Sequence, residues 1–191
     1  MPNKEMMKKI MIMEAEGLSY YNLRTFNYGD KELLELQKVK QKVSKLYSDN
    51  LFMFDGIRDL NGSIAKAKKF KPDVIVDDYI QIIDVPQIQE KRLQISEIMK
   101  NYKWLAKEQN LSVLLVSQLN RELEKRINKR PQLSDLAESG SIEQDAETII
   151  FNYYPWKYLG KENHDLGELG KYQLHTIVGK SRYAETGFLE M

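Results

Sequence analysis

Two adjacent carboxylates, Asp77 and Asp78, follow the apolar run 74–76. A short apolar run of this kind is typical of a strand in a parallel sheet that is covered on both faces. Such a strand carries the residue at its end to the carboxyl edge of the sheet, where α/β proteins bind ligands. An acid at that edge can hold a Mg²⁺ ion that bridges nucleotide phosphates. The sequence also allows a structural interpretation, in which Asp77 is a cap or makes a local hydrogen bond.

The amide of Gln118 directly follows a second apolar run, residues 112–117. An amide at a strand tip is well placed to contact a γ-phosphate and pass the signal to the adjoining loop. As a single residue, Gln118 is more often a solvated strand end.

A cationic segment, residues 121–130, comes next. Its two acids are outnumbered by five cations, namely Arg121, Lys125, Arg126, Lys129 and Arg130. The segment has no interleaved aromatic residues, so it resembles a loop that follows backbone phosphates more than a platform for stacking bases. The alternative interpretation is a solvated charged surface.

Lys180 and Arg182 are two residues apart on a predicted strand that follows Gly179. Side chains at this spacing point to the same face of a strand. An arginine that projects from a hairpin can reach a phosphate bound to a neighbouring subunit. The pair is therefore a candidate for charge stabilisation across a subunit boundary.

The elements that must position these residues follow from hydrophobic periodicity. Helices are predicted at 3–16, 31–47, 62–70 and 90–109, and strands at 51–54, 73–78, 112–117, 148–151 and 172–178, with a short last strand after a turn at 185–187. Asp30 is the predicted N-cap of the second helix, and Asn61 or Ser63 that of the third. The pattern indicates an α/β domain with a largely parallel sheet and a C-terminal β-hairpin.

Composition excludes several function classes. The 191 residues are 42% hydrophobic and 30% charged, with a net charge of +1, so nucleic-acid affinity would need a local basic cluster. The chain has no cysteine and two histidines, which argues against thiolate and histidine metal sites. No run approaches the roughly 20 apolar residues of a membrane helix. A cytoplasmic protein without membrane contact is expected.

The joint order of the motifs resembles the replicative DNA helicases of the DnaB type, over nearly the whole chain. The resemblance rests on Val-Asp-Asp-Tyr-Ile-Gln-Ile-Ile (76–83), Val-Ser-Gln-Leu-Asn-Arg (116–121), Lys-Arg-Pro (129–131), Ser-Asp-Leu-Ala-Glu-Ser-Gly-Ser-Ile-Glu-Gln-Asp-Ala (134–146) and Gly-Lys-Ser-Arg (179–182). The block 134–146 is the most specific of these. The resemblance implies a RecA-like three-layer ATPase domain that works as a homohexameric ring around single-stranded DNA and translocates 5′ to 3′.

The resemblance also implies roles for particular residues. Asp78 is similar to the acid that organises Mg²⁺ beside ATP, and Gln118 to the γ-phosphate sensor. Lys180 and Arg182 are similar to the cations offered to the neighbouring nucleotide. On the DNA side, the implied contacts are Arg121, Lys129, Arg130, Glu138 and Gly140.

Some family features do not occur in these residues. No Gly-x-x-x-x-Gly-Lys-[Ser/Thr] string for cradling phosphates is present, and the catalytic glutamate of the family precedes a segment similar to Met1-Pro2. Ala137 stands where the family has arginine, and Tyr183-Ala184 where it has Asn-Gly. Residues 1–191 are therefore expected to be a partial RecA-like domain that lacks the phosphate-loop strand and needs a complementing fragment. Alone, the chain is expected to be marginally stable or prone to aggregation.

Three functional hypotheses remain. The first is part of a replicative helicase, favoured by Asp78, Gln118 and Arg182. The second is an ATPase-dead helicase relative that joins or blocks a ring, favoured by Ala137 and by the missing phosphate-loop string. The third is a RecA-like ATPase of the recombinase or clock type, which the block 134–146 argues against.

Overall fold

The computed structural model describes residues 3–15, 17–136, 140–159 and 173–190. The chain forms two compact units, residues 1–57 and 58–191. In the described residues, no helix is both long and apolar enough to cross a membrane.

The first unit is helical. It contains α1 (Asn3–Met13), α2 (Tyr20–Thr25) and α3 (Asp30–Tyr47). The N-cap of α3 is Gly29 rather than the predicted Asp30, because the Glu32 carboxylate accepts a hydrogen bond from the Gly29 amide at 3.0 Å. The strand predicted at 51–54 is wrong. The Met53 carbonyl accepts from the side-chain amide of Asn3 at 3.0 Å, so a side chain satisfies a group that a strand would use in its ladder.

The second unit begins with α4 (Leu60–Phe70), β1 (Val74–Asp77), α5 (Lys91–Gln109) and β2 (Ser112–Leu115). The N-cap of α4 is Asp59, whose carboxylate accepts from the Gly62 amide at 2.8 Å, and not the predicted Asn61 or Ser63. α5 ends at the predicted residue 109 and starts one residue after the predicted residue 90. Its predicted apolar stripe forms the centre of the core, with Ile95, Ile98, Tyr102 and Leu105 at most 1% exposed.

β1 and β2 form a parallel pair in the register Val74↔Ser112 to Asp77↔Leu115. Ile75 packs against the core on the side of α4 and α5. On the opposite face, Val76 is 62% and Leu114 56% exposed. Among the described residues, the pair is therefore covered on one face, whereas the apolar strands predicted cover on both.

The end of the chain is an antiparallel sheet, in which β3 (Thr148–Tyr153) pairs with β4 (His175–Ser181) and β4 with β5 (Gly187–Glu190). Two short helices, α6 (Gly140–Asp145) and α7 (Trp156–Leu159), flank β3 in sequence. The strand predicted at 172–178 starts at His175, and residue 172 lies outside the described residues. The predicted fold class is confirmed: an α/β domain with a parallel strand pair and a C-terminal antiparallel hairpin.

Gly179 lies where β4 crosses the ring of Phe151. A methyl group at this position would lie 2.5 Å from Phe151 Cε2 and 3.0 Å from Cδ2, and Phe151 is 4% exposed. We expect Gly179→Ala to lower the free energy of unfolding by about 1–3 kcal/mol, because the buried ring has little room to move. Urea denaturation measures the loss. Gly56→Ala is the matched control, since no atom lies within 4 Å of its added methyl; equal losses in both variants would refute the packing argument.

Candidate functional site

The carboxyl ends of β1 and β2 lie side by side. The Val116 amide donates to the Asp77 carbonyl at 3.0 Å, and the Ile80 amide donates to the Val116 carbonyl at 2.9 Å. This ladder extends past both strands and brings Asp78 and Gln118 to the same sheet edge. Both residues are exposed. The edge therefore offers a carboxylate and an amide to solvent, as the two apolar runs predicted.

Gln81 braces this edge and was missed by the sequence analysis. Its side-chain Nε2 donates to Ser117 Oγ at 2.9 Å, and its Oε1 accepts from the Gln118 amide at 3.1 Å. Gln81 lies in a 3₁₀ turn, Ile80–Ile82, that follows β1. The sequence signal for this role is that Gln81 is the one polar residue in the apolar run 80–83. By joining the two strand tips, Gln81 fixes the position from which Gln118 projects.

The two adjacent acids have different environments. Asp77 is half-buried, and its carboxylate accepts a short hydrogen bond from the Tyr102 hydroxyl. The hydrogen bond gives Asp77 a structural role, but its partner Tyr102 lies 25 residues away on α5, whereas the structural interpretation predicted a local partner. Burial, and next the hydrogen bond to Asp77, raise the pKa of Tyr102. Asp78 makes no hydrogen bond or ion pair with any described residue, so it is the carboxylate left for a ligand at the edge.

One cation of the segment 121–130 is structural. The guanidinium of Arg126 binds both carboxylate oxygens of Asp135, each at 2.9 Å, and also donates to the Arg130 carbonyl at 2.7 Å. The Asp135 side chain is 7% exposed. The Asn120 amide donates to the Asp135 carbonyl at 2.6 Å, which closes the loop between residues 120 and 135. Arg126 therefore holds the loop together.

The predicted DNA contacts are distributed along this loop and α6. Arg121 is exposed at the start of a 3₁₀ turn, Arg121–Lys125. Lys129 Nζ donates to the Glu124 carbonyl, and the Arg130 amide donates to Asn128 Oδ1 at 2.9 Å. Gly140 is the exposed first residue of α6. Glu138 lies outside the described residues.

Lys180 and Arg182 meet at the C-terminal end of α6. Lys180 Nζ donates to the carbonyls of Glu143 and Gln144, and Arg182 Nη2 donates to the Gln144 carbonyl at 2.8 Å. The prediction that both side chains point to the same side is confirmed. Carbonyls at a helix end carry partial negative charge, which suits both cations. The hairpin is thereby joined to the segment 134–146.

The sheet edge fits a Mg²⁺ ion that is shared with a nucleotide. The described residues contain no group of three or more acidic, histidine or cysteine side chains that could hold a metal ion. Mg²⁺ beside nucleotides is commonly held by one or two carboxylates together with phosphate oxygens and water. The single exposed carboxylate of Asp78 fits such a shared ion.

The fold and its polar sheet edge define a RecA-like helicase ATPase domain, and solved structures share this fold over the whole chain. One of them, a structure of an isolated ATPase domain, is 28% identical, with a TM-score of 0.86 over 100% of this chain and 67% of that one. A DnaB-like replicative helicase, described with its interactions with primase, is 27% identical, with a TM-score of 0.83 over 100% of this chain and 45% of that one.

The chain belongs to the DnaB-like helicase C-terminal domain family, whose model matches residues 1–191. The replicative DNA helicase DnaB of Haemophilus influenzae (strain ATCC 51907 / DSM 11121 / KW20 / Rd) is 33% identical over 195 residues, which cover 98% of this chain and 40% of that protein. The protein of the same name from Buchnera aphidicola subsp. Acyrthosiphon pisum (strain APS) is 44% identical over 119 residues, 62% of this chain and 25% of that protein. The chain thus spans less than half the length of these relatives.

Proposed function

We propose that the chain forms part of a replicative DNA helicase, which couples ATP hydrolysis to 5′ to 3′ translocation on single-stranded DNA and to duplex unwinding. One observation carries the proposal. Asp78 and Gln118 project from one sheet edge, and the cationic loop begins three residues after Gln118. A nucleotide at the edge and a DNA strand at the loop would therefore act on the same short stretch of chain.

On the nucleotide side, ATP and Mg²⁺ are the cofactors of this proposal. Asp78 would hold the Mg²⁺ ion, which would supply positive charge to the nucleotide phosphates. Gln118 contacts the γ-phosphate, and its backbone is fixed by Gln81 at 3.1 Å. Loss of the γ-phosphate then changes the position of Gln118 and of the loop that follows.

On the DNA side, Arg121, Lys129 and Arg130 neutralise backbone phosphates, and Glu138 and Gly140 contact the strand from the segment 134–146. Phosphate contacts give affinity without base specificity. This suits a protein that must move along any sequence.

Arg121→Ala is expected to weaken binding of single-stranded DNA equally for different sequences. It should also reduce by about 0.7 the slope of log affinity against log salt, the value for one phosphate contact on a single strand. Fluorescence anisotropy at several salt concentrations measures both quantities. Lys45→Ala, an exposed lysine in α3, is the control. A loss confined to one DNA sequence, or an unchanged slope, would contradict the assignment.

Lys180 and Arg182 serve the neighbouring subunit in a homohexameric ring. Residues 1–191 contain no Gly-x-x-x-x-Gly-Lys-[Ser/Thr] string, and we propose that a segment carrying such a string binds the β- and γ-phosphates beside this edge. We place this assembly in the cytoplasm and assign it no membrane partner.

The test mixes the chain with a polypeptide that carries the family's phosphate-binding loop. Analytical ultracentrifugation measures whether the two polypeptides associate. Once they do, ATPase activity stimulated by single-stranded DNA is expected. Association without any DNA-stimulated hydrolysis would refute the proposal.

A second candidate is an ATPase-dead relative that binds or regulates a helicase ring. The engagement of Lys180 and Arg182 by α6 of their own subunit favours it. This function predicts that the chain binds an intact helicase ring and changes its unwinding rate without hydrolysing ATP itself. No change in that rate at saturating chain would exclude it.

A further inference from the structure

We propose that Tyr102 is a positioning residue that decides which of the adjacent acids Asp77 and Asp78 faces the sheet edge. Tyr102 holds Asp77 on the core side of β1, so that Asp78 alone presents a carboxylate to Mg²⁺ and nucleotide. The inference rests on the proposed function of Asp78 and extends it to a residue of α5 that does not reach the edge.

The alternation of β1 separates the two acids. Ile75 and Asp77 are half-buried, and Ile75 packs against the core cluster that includes α4 and α5. Val74 and Val76 are exposed on the opposite face, and Asp78 is exposed just beyond the strand. Because neighbouring residues point to opposite faces, the side taken by Asp77 fixes the side taken by Asp78.

Asp77 can face the core only if hydrogen-bond donors lie close to its carboxylate. A carboxylate facing a hydrophobic core loses hydration, and this loss must be offset by hydrogen bonds. The Tyr102 hydroxyl donates a short hydrogen bond to Asp77 Oδ2 from a side chain that is 1% exposed. The Ser63 hydroxyl lies 2.7 Å from the Tyr102 hydroxyl and 3.5 Å from Asp77 Oδ2.

The proton count limits the direction of the hydrogen bonds. Tyr102 has one hydroxyl proton, and Asp77 accepts it. The Ser63 hydroxyl is then free to donate to the Tyr102 oxygen at 2.7 Å or to Asp77 Oδ2 at 3.5 Å, and either bond links α4 to the end of β1. Each member has its partner, so the buried polar groups are satisfied and the orientation of Asp77 is fixed.

Loss of Tyr102 leaves Asp77 with two outcomes. The carboxyl can stay on the core side without its donor, or the end of β1 can turn and bring Asp77 into solvent. The second outcome moves Asp78 away from the edge, since both acids belong to the same strand end. Asp78, the next residue, is exposed and lies outside the strand, so a rotation of the strand end requires little repacking. We infer that the strand end rotates.

The experiment compares Tyr102→Phe with a double variant, Asp77→Leu/Tyr102→Phe. In the double variant an apolar residue takes the core-facing position, so the strand end keeps its orientation without any donor. The measured quantity is the Mg²⁺ concentration for half-maximal binding of a fluorescent ATP analogue, by the chain assembled with the phosphate-loop polypeptide. Tyr21→Phe, at a tyrosine 69% exposed, is the control.

Tyr102→Phe is expected to raise the half-saturating Mg²⁺ concentration about tenfold, equivalent to about 1.4 kcal/mol. The double variant should return to within about twofold of the wild type, although its melting temperature need not recover. Ser63→Ala, which removes the outer donor and leaves the fold intact, should give a smaller rise. A purely structural role of Tyr102 predicts the same Mg²⁺ dependence in every folded variant, and that result would overturn the proposal.

A second readout needs no nucleotide. A crystal structure of the Tyr102→Phe chain is expected to show the Asp77 carboxylate on the Val76 side of β1. Should Asp77 remain against α5, the positioning role is refuted even if the helicase function holds. Conversely, a wild-type assembly without Mg²⁺-dependent ATP binding would refute the role of Asp78, and with it the inference, whatever the position of Asp77. If Tyr102→Phe does not fold, an unchanged Mg²⁺ dependence in Ser63→Ala overturns the proposal.

Discussion

Replacement of Arg182 by alanine is expected to slow ATP hydrolysis by about three orders of magnitude or more while ATP binding is kept. An arginine from a neighbouring subunit stabilises charge that develops on the transferred phosphoryl group, so its loss acts on the transition state more than on the bound nucleotide. Arg182 is exposed, and its side chain donates to the Gln144 carbonyl at 2.8 Å. It can therefore be removed with little damage to the fold.

The measurement pairs ATP turnover with nucleotide binding, in the assembly with the phosphate-loop polypeptide. Arg182→Lys keeps one positive charge but cannot form the paired hydrogen bonds of a guanidinium, so it should recover only part of the activity. Arg24→Ala, in α2 of the first unit, is the control. Unchanged turnover in Arg182→Ala would show that Arg182 takes no part in ATP hydrolysis.

Replacement of Arg126 by alanine is expected to lower the free energy of unfolding of the second unit by about 3–5 kcal/mol. The side chain of Asp135 is 7% exposed, and Arg126 contacts both of its carboxylate oxygens at 2.9 Å. Without Arg126 the aspartate keeps a buried charge that has lost its cation. Urea denaturation followed by the fluorescence of Trp104 and Trp156 measures the change.

The matched control for this prediction is Lys125→Ala. Lys125 also forms an ion pair, with Glu122 at 2.7 Å, but the two side chains are 74% and 66% exposed. An exposed pair contributes at most about 1 kcal/mol. Similar losses for Arg126→Ala and Lys125→Ala would show that the Arg126–Asp135 pair does not organise the loop.

Sequence periodicity predicted the helices and strands that are determined by residues close together in the sequence. The stripe of Ile95, Ile98, Tyr102 and Leu105 gave both the extent of α5 and its buried face, because residues at this spacing share one side of a helix. The apolar runs before Asp78 and Gln118 predicted two strands of a largely parallel sheet, and the structure pairs these strands with each other. The resemblance of the motifs gave the family.

The misses involve partners that are distant in sequence. The cationic run does not reveal that Arg126 is paired, because its partner Asp135 is brought close only by closure of the loop. Gln81 stands 36 residues from Ser117, and only the pairing of β1 with β2 brings the two side chains together. Residues 51–54 have the composition of a strand, but a side chain from α1 satisfies the Met53 carbonyl.

The contact of Lys180 and Arg182 with the end of α6 has a consequence for a ring. Both cations already have acceptors in their own subunit, so reaching a neighbour is an exchange of acceptors rather than a gain of new hydrogen bonds. Such an exchange is favourable only where the incoming oxygens carry more negative charge than two backbone carbonyls. Under the proposed roles, the two cations would therefore leave α6 more readily for a neighbour's nucleoside triphosphate than for its diphosphate, because the triphosphate carries more negative charge. Each subunit would then respond to the nucleotide of the next subunit through these two cations, in addition to its own Gln118.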